Sequence, residues 1–573
     1  MNADQLLELY DRVADAPDAI PRLRRFVLDL AMRGKLVEQD AADEPASELL
    51  KRIAKEKARL VKAGEIKKSE VDGLAVDDEP FELPTGWAWT RLGSIGDWGA
   101  GSTPSRGNSE LYGGSVTWLK SGELNDNIAL AGSEETVTEV AVIKGSFRVN
   151  KPGDVLLAMY GATIGKLAIL AETAVTNQAV CGCTPFDGVT NRFLFLFLLS
   201  YRAKFHAASE GGAQPNISKV KIVGTPFPLP PLAEQHRIVA KVDELMALLD
   251  GLEQARVGRE VLRDQLTAAT LNRLTQSDPD DFRPAAHFAL QALSHLTTRP
   301  DQIKTLRQTI LNLAVRGKLV EQDPADEPAS ELLKRIGKQR LALIAAGIAK
   351  KEKLAEAVAA PFTLPESWTW CGLGQLCQLI TKGSSPKWQG VSYVTGESGL
   401  MFITSENVGN FILRKLDDLK YVESRFRDIE PRSMLKKGDI LINLVGASIG
   451  RTAIFNLDAE ANINQAVALV RLVDPTLGPS IDYLLMYLNS DTAVDQMLGS
   501  RVITAQPNIS LADVNGFPIP LPPLAEQHRI VARVDALMAL CDQLEVGLKS
   551  TDTTRSRLLD AILHSALSQD AVA

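Results

Sequence analysis

The sequence predicts an α+β protein in which one unit occurs twice. Two α+β domains are expected to alternate with long helices that pair as an antiparallel coiled coil, giving the chain a pseudo-two-fold internal repeat. The first observation behind this fold class is that helix-forming segments recur almost unchanged along the chain. The second is that the segments between them diverge and contain the Gly, Pro, Ser and Thr clusters that bound short strands.

The duplication is visible by direct comparison. Residues 35–64 and 318–347 are identical at 22 of 30 positions, and residues 228–250 and 520–542 at 20 of 23. The offset between the copies grows from 283 to 292 residues, so small insertions lie in the divergent parts. Two copies indicate a duplicated pair of modules, because a solenoid needs about three or more. The resulting regions are an N-terminal helical region at 1–80, α+β domains at 81–230 and 362–522, a central helical region at 231–361 and a C-terminal helix at 523–573.

Each divergent segment contains short apolar runs between turns. The runs Val155–Met159 and Ile440–Leu444 follow or overlap Gly-Asp pairs and are predicted to be strands. Phe193–Ser200 and Ile481–Leu488 are predicted to be buried helices that come after those strands. At about 150 residues, each segment is long enough to bury a core of its own.

The segments after Pro231 and Pro523 are predicted to be long helices, because proline is tolerated at a first turn. Their apolar residues follow a 4-3-4-3 spacing, which is the seam along which two helices supercoil. Each helix should run for about 40 residues, or ~60 Å; a buried helix in an ordinary bundle is the alternative. Antiparallel pairing is expected because two equivalent domains, each at the start of its own helix, then lie at opposite ends of the pair. The seam residues are Ile238, Val242, Leu245, Leu249 and Leu252 in the first copy and Ile530, Val534, Leu537, Cys541 and Leu544 in the second.

Composition limits the class of protein. The 573 residues include 63 Lys+Arg and 71 Asp+Glu, a formal net charge of −8. That charge argues against a broadly basic nucleic-acid binder but is compatible with a local basic groove. Five cysteines are too few for a disulfide scaffold and are typical of a reduced, cytoplasmic chain. The N-terminal sequence lacks the apolar core of a secretory signal, and no apolar run reaches the ~18 residues of a membrane span.

The motif search gives no catalytic site. Residues 161–166, GATIGK, are one residue short of a phosphate-binding loop and lack the hydroxyl residue that should follow it. Cys181 and Cys183 have no second pair at zinc-ligand spacing. His236 and His528 occupy matching positions near helix starts, where a structural or interface role is expected. The sequence therefore predicts neither an enzyme nor a metal or cofactor site.

The α+β domains have nearly balanced charge, so contacts with nucleic acid must come from local clusters. Residues 81–230 hold 12 cationic and 12 anionic residues, and residues 362–522 hold 13 and 16. Polar loops in matching places are the candidate readers, since Ser, Thr, Asn, Gln, Lys and Glu can hydrogen-bond to base edges. Turns and caps of a small fold are the alternative for each residue. The candidates in the first domain are Ser102, Thr103, Arg106, Lys120, Ser121, Glu123, Tyr160, Lys166, Gln178, Gln214 and Asn216. Those in the second domain are Lys382, Ser384, Ser385, Lys387, Thr404, Ser405, Asn407, Arg451, Gln465, Gln506 and Asn508.

Three motifs carry a resemblance to a known family. One is RGKLVEQDPADEPASELL at 316–333, another is PLPPLAEQHRIV before each long helix, and the third is Leu-Pro-x-x-Trp-x-Trp at 83–89 and 364–370. On these motifs the chain resembles the specificity subunit of Type I restriction-modification systems. The resemblance extends over essentially the whole chain, including the order of two target recognition domains separated by helical regions.

The resemblance implies a division of labour between subunits. The specificity subunit would do no chemistry, and each target recognition domain would read one half of a bipartite, asymmetric site in double-stranded DNA. The helices would set the spacing and dock two methyltransferase subunits, which bind S-adenosylmethionine. Restriction subunits, which use ATP and Mg²⁺, would join for cleavage. This chain would itself bind no cofactor, and its location would be the cytoplasm of a bacterium or archaeon.

Two other classes of function remain open from the sequence. A methyltransferase with built-in recognition would need an Asn/Asp-Pro-Pro-aromatic motif, whereas Pro230-Pro231 and Pro522-Pro523 are followed by leucine. A coiled-coil adaptor that joins two domains without binding DNA is the other class.

Overall fold

A computed structural model gives the fold as two compact units. It describes residues 1–14, 16–68, 76, 79–209, 215–276, 279–350, 361–395, 399–499 and 508–568. The first unit comprises residues 1–259 together with the chain from Thr551 onwards, and the second comprises residues 260–550. Both boundaries fall inside long helices, so each unit contains the start of one long helix and the end of the other.

Helices dominate the regions outside the two α+β domains. The N-terminal region folds as α1 (Ala3–Val13), α2 (Ala19–Met32) and α3 (Ala46–Lys62). The central region contains α7 (Leu232–Gln276), α8 (Pro279–Leu296), α9 (Pro300–Val315) and α10 (Ala329–Ala345), and the chain continues after the second domain as α15 (Leu524–Ser568). The two long helices have 45 residues each and begin directly after the proline pairs, as the sequence predicts.

The first α+β domain contains two mixed sheets. Its strands are β1 (Ala88–Arg91), β2 (Gly96–Ala100), β3 (Tyr112–Leu119), β4 (Asn127–Leu130), β5 (Thr136–Val137), β6 (Val155–Ala158), β7 (Leu167–Leu170), β8 (Val175–Thr176), β9 (Val180–Pro185) and β10 (Pro226–Leu229). Its helices are α4 (Glu139–Lys144), α5 (Asn191–Ser209) and α6 (Lys219–Val223). The sheet orders are β2-β9-β6-β7-β4 and β5-β3-β8, and β1 pairs with β10 alone.

The second α+β domain repeats this plan with differences at the edges. Its strands are β11 (Thr369–Gly372), β12 (Cys377–Lys382), β13 (Tyr393–Val394), β14 (Leu400–Ile403), β15 (Lys420–Val422), β16 (Asp439–Asn443), β17 (Thr452–Phe455), β18 (Ala461–Ile463), β19 (Val467–Leu472) and β20 (Pro518–Leu521). Its helices are α11 (Phe426–Ile429), α12 (Ile481–Leu488), α13 (Asp491–Leu498) and α14 (Leu511–Asn515). The sheet orders are β12-β19-β16-β17 and β13-β15-β14-β18, and β11 pairs with β20.

The central strand of each domain is buried on both faces. Leu157 of β6 lies in the main core of the first unit, and its neighbour Leu156 lies in a smaller core on the opposite face. Ile440 and Leu441 of β16 divide in the same way between two cores of the second unit. Side chains alternate across a strand, so burial on both faces requires the continuous apolar run seen in the sequence. The predicted strands and buried helices are confirmed.

Seven of the ten seam residues are buried, and Leu252, Leu537 and Leu544 are half-buried. They share their core with short helices whose contacts with the seam the sequence analysis did not foresee. Ile238, Val242, Leu245 and Leu249 are fully buried in the core that also holds residues of α1 and α2. Arg24 of α2 forms ion pairs with Asp250 and Glu253 at 2.6 and 2.5 Å. Arg22 of α2 donates a hydrogen bond to the Ser556 carbonyl of α15 at 3.2 Å, so α2 contacts both long helices within the first unit.

Helix α9 has the equivalent place in the second unit. Arg307 of α9 pairs with Asp542 and Glu545 of α15 at 2.6 and 3.2 Å, the same helix positions that Arg24 contacts on α7. Leu313 of α9 shares a small core with Leu271 and Leu274 near the end of α7. Direct pairing of the two long helices along the seam therefore remains a prediction, and α2 and α9 are additional partners of the seam.

Candidate functional site

The start of the first long helix is tied to both the helical repeat and the first α+β domain. Glu234, in the first turn of α7, is 1% exposed. Its carboxylate accepts hydrogen bonds from Trp87 Nε1 at 2.9 Å and Gln39 Nε2 at 3.0 Å. One turn further, Arg237 pairs with Asp43 at 2.6 Å. We call this set of five residues the first junction. Burial raises the pKa of Glu234, and the two hydrogen bonds oppose that rise.

The second junction has the same geometry. Glu526 accepts from Trp368 Nε1 at 2.9 Å and from Gln322 Nε2 at 2.7 Å, and Arg529 pairs with Asp326 at 2.7 Å. Burial likewise raises the pKa of Glu526. The three repeated motifs meet here, since the glutamine and aspartate come from the helical repeat, the tryptophan from the domain entry and the glutamate and arginine from the long helix. The near-identity of the motifs thus has a structural explanation.

Each α+β domain is closed by one pair of strands next to its junction. Strand β1 pairs antiparallel with β10, with Ala88 opposite Leu229. Strand β11 pairs with β20 in the same register, with Thr369 opposite Leu521. The entry and exit of each domain therefore lie side by side at the foot of its long helix.

Backbone hydrogen bonds bring the candidate loops of the first domain together. Ser102 N donates to Thr176 O at 2.9 Å, and Asn177 N donates to Leu119 O at 2.9 Å. Met159 N donates to Ala179 O at 2.8 Å, and Gly161 N donates to Pro215 O at 3.0 Å. We call the resulting surface the first loop edge; its loops are 101–106, 119–126, 160–166, 177–178 and 215–217. At Gly101 a Cβ would lie 2.1 Å from Thr176 O, so this close approach of two loops requires glycine.

The second domain forms an equivalent second loop edge. Asn464 N donates to Ile403 O at 3.1 Å, Leu444 N to Ala466 O at 2.9 Å and Ile509 N to Leu444 O at 2.9 Å. A Cβ on Gly383 would lie 1.7 Å from Ile463 O, which matches the close approach at Gly101. The loops of this edge are 383–390, 403–407, 445–451, 464–465 and 508–509. Sequence-matched loops thus meet at one edge in each domain.

The cations of the first loop edge are held by acidic and aromatic neighbours. Lys120 Nζ donates to Glu135 at 2.8 Å, which raises the pKa of Lys120 and lowers that of Glu135. The Arg106 guanidinium contacts Glu135 at 3.3 Å and lies over the rings of Tyr112 and Trp118. These side chains are positioned before any ligand arrives.

Other candidates on this edge differ in exposure and in the hydrogen bonds that their polar groups already form. Lys166 Nζ donates to Asn125 at 3.0 Å, and the Thr103 hydroxyl contacts the Gln178 side chain. Glu123 accepts from Lys120 N, Ser133 Oγ and Glu134 N at 2.7, 2.7 and 2.9 Å, so its carboxylate is used to shape the loop. The remaining described candidates of this edge are half-buried Ser102 and Ser121 and exposed Tyr160 and Asn216. Gln214 lies outside the described residues.

Two candidates of the second loop edge are corrected by their burial. Thr404 and Asn407 are 7% and 3% exposed, and Asn407 Oδ1 accepts from both the Thr404 amide and its hydroxyl at 3.0 Å. Their polar groups close a turn, so we withdraw both from the candidate base contacts. A sequence reading could not separate them from exposed loop residues, because a turn-closing Asn and a surface Asn have the same local composition.

The other candidates of the second loop edge reach the surface to different extents. Lys382, Lys387, Gln465 and Asn508 are exposed, whereas Ser384, Ser385, Ser405 and Arg451 are half-buried. Gln506 lies outside the described residues. On the first edge the sequence analysis missed Arg202 of α5, which donates to Gly165 O at 2.8 Å and pairs with Asp126. No sequence signal marked Arg202, because it comes from a helix far from these loops along the chain.

The groups that could have supplied chemistry have structural roles. Residues 161–166 form a turn with Gly161 and Gly165 at positive φ. Cys181 and Cys183 are fully buried, and burial raises the pKa of Cys181 to about 12. In the part of the chain that the structure describes, no cluster of three His, Cys, Asp or Glu side chains could hold a metal ion. Among the helices of the described ranges, none combines the length and apolar character needed to cross a bilayer.

Comparison with known proteins places these features in a family. Residues 84–261 and 365–551 match the family described as Type I restriction modification DNA specificity domain. Two Escherichia coli proteins, the Type I restriction enzyme EcoAI and EcoEI specificity subunits, are each 31% identical to this chain and cover 96% of it, with 94% of each relative matched. The crystal structure of the HsdS subunit from Thermoanaerobacter tengcongensis is 23% identical, covers 86% of this chain and 100% of that chain, and has a TM-score of 0.42.

Proposed function

This chain belongs to the family of Type I restriction-modification DNA specificity proteins, and from that membership we propose how its two halves divide the work. It is a specificity subunit with two recognition domains. We assign these domains to residues 81–230 and 362–522, and each reads one half of a bipartite, asymmetric site in double-stranded DNA. The observation that carries this proposal is that two equal junctions support two loop edges whose loops at 101–106 and 119–126 differ in sequence from those at 383–390 and 403–407.

The loop edges are the proposed DNA-reading surfaces. Both domains have balanced or negative net charge, so affinity depends on local cations such as Lys120, Lys166, Lys382 and Lys387 and on contacts that partners add. Exposed Gln178 and the polar residues beside it can address base edges. Loops 160–166, 177–178 and 215–217 nearly repeat in the second domain, whereas loops 101–106 and 119–126 differ from loops 383–390 and 403–407. The differing loops suit the reading of two different half-sites.

Catalysis is proposed to reside in partner subunits. Two methyltransferase subunits would supply S-adenosylmethionine chemistry, and restriction subunits would supply ATP- and Mg²⁺-dependent cleavage. The start of each long helix supports a two-fold partner arrangement. Within the AEQHR motif the Glu and Gln are buried and used internally, whereas Ala233 and His236, and equally Ala525 and His528, are exposed. Identical exposed residues at both helix starts offer equivalent docking surfaces to two identical partners.

A reconstitution separates this proposal from the two other functions that the sequence left open. The purified chain alone should transfer no methyl group and hydrolyse no ATP. Together with the methyltransferase encoded beside it, it should methylate one bipartite sequence and shift a duplex of that sequence in a gel. Stoichiometric methyl transfer by the isolated chain would instead support a self-contained methyltransferase. Absence of sequence-selective DNA binding by the complex would favour a structural adaptor.

The long helices are proposed to act as a ruler between the half-sites. Two ion pairs hold α7. Arg24 pairs with Asp250 within the first unit, and Arg299 pairs with Asp264 within the second, each at 2.6 Å. Position 259/260 of α7 lies between Glu253, the last residue that Arg24 contacts, and Glu260, the first that Arg299 contacts, each at 2.5 Å, and is the place to lengthen the helix.

Insertion of one heptad between Arg259 and Glu260, and another between Ser550 and Thr551, tests the ruler. A heptad keeps the seam in phase and adds ~10 Å, or about three base pairs at ~3.4 Å each. Methylome mapping should find both half-sites unchanged and the spacer longer by about that amount. An insertion of four residues is the matched control and should impair assembly, because it rotates the seam. An active heptad variant with the original spacer would refute the ruler.

A further inference from the structure

The equivalent loops 101–106 and 383–388 differ at their third, fifth and sixth positions, and the sixth changes most in character. The loops Gly101–Arg106 and Gly383–Trp388 both begin with a glycine pressed against a neighbouring carbonyl, and both have a buried proline at the fourth position. The sixth position is Arg106 in the first domain and Trp388 in the second. Sequence analysis selected Arg106 but missed Trp388, because a lone tryptophan is more often a core residue.

Trp388 is set apart from the other tryptophans by its exposure. Its relative exposure is 74%, whereas Trp87, Trp98, Trp118 and Trp368 are between 1% and 8% exposed. The indole therefore projects into solvent from the second loop edge. Trp is enriched at binding hot spots, together with Tyr and Arg.

The loop that carries Trp388 is rigidly anchored. Pro386 and Val391 on either side of it are buried, and Val391 belongs to a small core with Phe402 and Phe426. Gln389 Nε2 donates to Ser384 Oγ and to Glu430, each at 3.0 Å. An indole on such a loop is presented in one place, so little conformational entropy would be lost when it binds a partner.

The charges around Trp388 favour an anionic partner. Lys387 is exposed next to Trp388, and Lys382 is exposed at the end of β12, directly before the loop; neither forms an ion pair with a residue that the structure describes. The nearby acidic groups are used internally: Glu430 accepts from Gln389, and Glu423 pairs with Arg425 at 2.5 Å. An exposed ring beside Lys387, on a loop that follows Lys382, matches duplex DNA, whose phosphates and apolar base surfaces lie close together.

We propose that Trp388 determines specificity for the second half-site through apolar contact between its ring and the bases. This inference rests on the proposed function and names the residue that reads one of the two half-sites. Arg106 occupies the equivalent place in the first domain and, being cationic and a hydrogen-bond donor, suits a different base edge. Arg106 and Trp388 together would let one scaffold read two unlike sequences from equivalent positions.

Binding of duplexes by Trp388→Ala tests the proposal. The full chain is assembled with its methyltransferase, and affinity is measured for the target mapped with the wild-type chain and for a scrambled duplex. The variant should bind the target about 5- to 100-fold more weakly, the range expected for loss of one base-pair discrimination, and should bind the scrambled duplex like the wild type. Trp388→Phe should retain most of the affinity. Methylation should become less selective at one or two positions of the second half-site only.

Replacement of each thymine in the second half-site by uracil identifies the contacted base surface. A position where uracil weakens the wild type but not Trp388→Ala assigns the contact to a thymine methyl group. Uracil-insensitive binding combined with the loss in Trp388→Ala assigns it to a ring inserted at a base step. Both outcomes support an apolar base contact.

Three outcomes would overturn the proposal. They are unchanged target affinity in Trp388→Ala, an equal loss on target and scrambled duplexes, and altered selectivity in the first half-site. Phe288→Ala removes an aromatic side chain that is 47% exposed on α8, outside both domains, and is the matched control expected to bind normally. A wild-type complex without sequence selectivity would refute the proposed function itself, which the variant data alone cannot do.

Discussion

The two junctions form the same hydrogen bonds and ion pairs, whereas the two loop edges carry different residues in some of their equivalent loops. Trp87 and Trp368 donate to Glu234 and Glu526 over the same 2.9 Å, whereas Arg106 on the first loop edge corresponds in position to Trp388 on the second. The junctions attach the domains to the long helices, and the edges are where a ligand can be read. The contacts that attach each domain are therefore the same in both copies, whereas part of each loop edge differs.

Pseudo-symmetry extends beyond the motifs that are identical in sequence. Lys35 Nζ donates to Leu567 O at 2.8 Å in the first unit, and Lys318 Nζ donates to Thr275 O at 2.9 Å in the second. A lysine fixes the last turns of a long helix in both places, although the accepting residues differ in type. Because a backbone carbonyl is the acceptor, the contact survives a change of side chain.

The largest effect is expected when a junction is broken. Glu234→Ala leaves the buried Trp87 indole N–H without an acceptor, whereas Gln39 Nε2 keeps its hydrogen bond to Gly34 O at 2.8 Å. The loss should lower the free energy of unfolding by ~2–3 kcal/mol. Glu526→Ala is the matched variant and should cost about as much. Urea unfolding measures both. Methylome mapping of Glu234→Ala should show impaired reading of the first half-site; equal impairment of both half-sites would mean that the junction does not act on its own domain.

A smaller effect is expected at the turns beside the loop edges. Lys166 and Arg451 occupy equivalent places, and Lys166 donates to Asn125 at 3.0 Å. Lys166→Ala should weaken DNA binding by ~1–3 kcal/mol and relax one base position if the lysine reads a base, or weaken all sequences alike if it contacts phosphate. Lys120→Ala and Arg451→Ala provide the comparison. Unchanged affinity and selectivity in all three variants would show that these cations are ordinary surface residues.

The smallest effect concerns pH and the junction carboxylates. Burial raises the pKa of Glu234 and Glu526 above the ordinary value of 4.5, so the folded protein binds these protons more tightly than the unfolded chain. Stability should therefore fall as pH rises from about 4.5 through the raised pKa values. A Glu234→Gln, Glu526→Gln double variant has side chains that do not titrate, so its free energy of unfolding should decline less steeply with pH. Identical pH profiles of unfolding would show that the junction carboxylates do not titrate in this range.

The sequence predicts which segments form strands and helices better than which elements cover them, for a physical reason. The strand at β6 and the helix α12 follow from continuous apolar runs, which burial on both faces requires. The long helices follow from heptad spacing after a proline pair. The contacts of α2 and α9 with the seam were missed because amphipathic patterning shows which face is buried and not what covers it.

At the loop edges, local composition is a weaker guide. Asn407 and Thr404 were selected as polar loop residues, yet their burial makes them turn closures. Trp388 was passed over because tryptophan usually lies in a core, and Arg202 because it reaches the edge from a helix. Exposure and long-range proximity decide these cases, and neither is encoded in the residue type or its neighbours along the chain.

Duplication of one recognition domain tests the central claim most directly. Residues 362–522 are replaced by a second copy of residues 81–230, which enters and leaves through the same paired strands and supplies the same junction tryptophan. Two equal readers on two equal junctions should convert the asymmetric target into a symmetric one, made of two inverted copies of the first half-site. Methylome mapping of cells that carry this variant with its methyltransferase should find that sequence. Methylation that still requires the original second half-site would contradict the account.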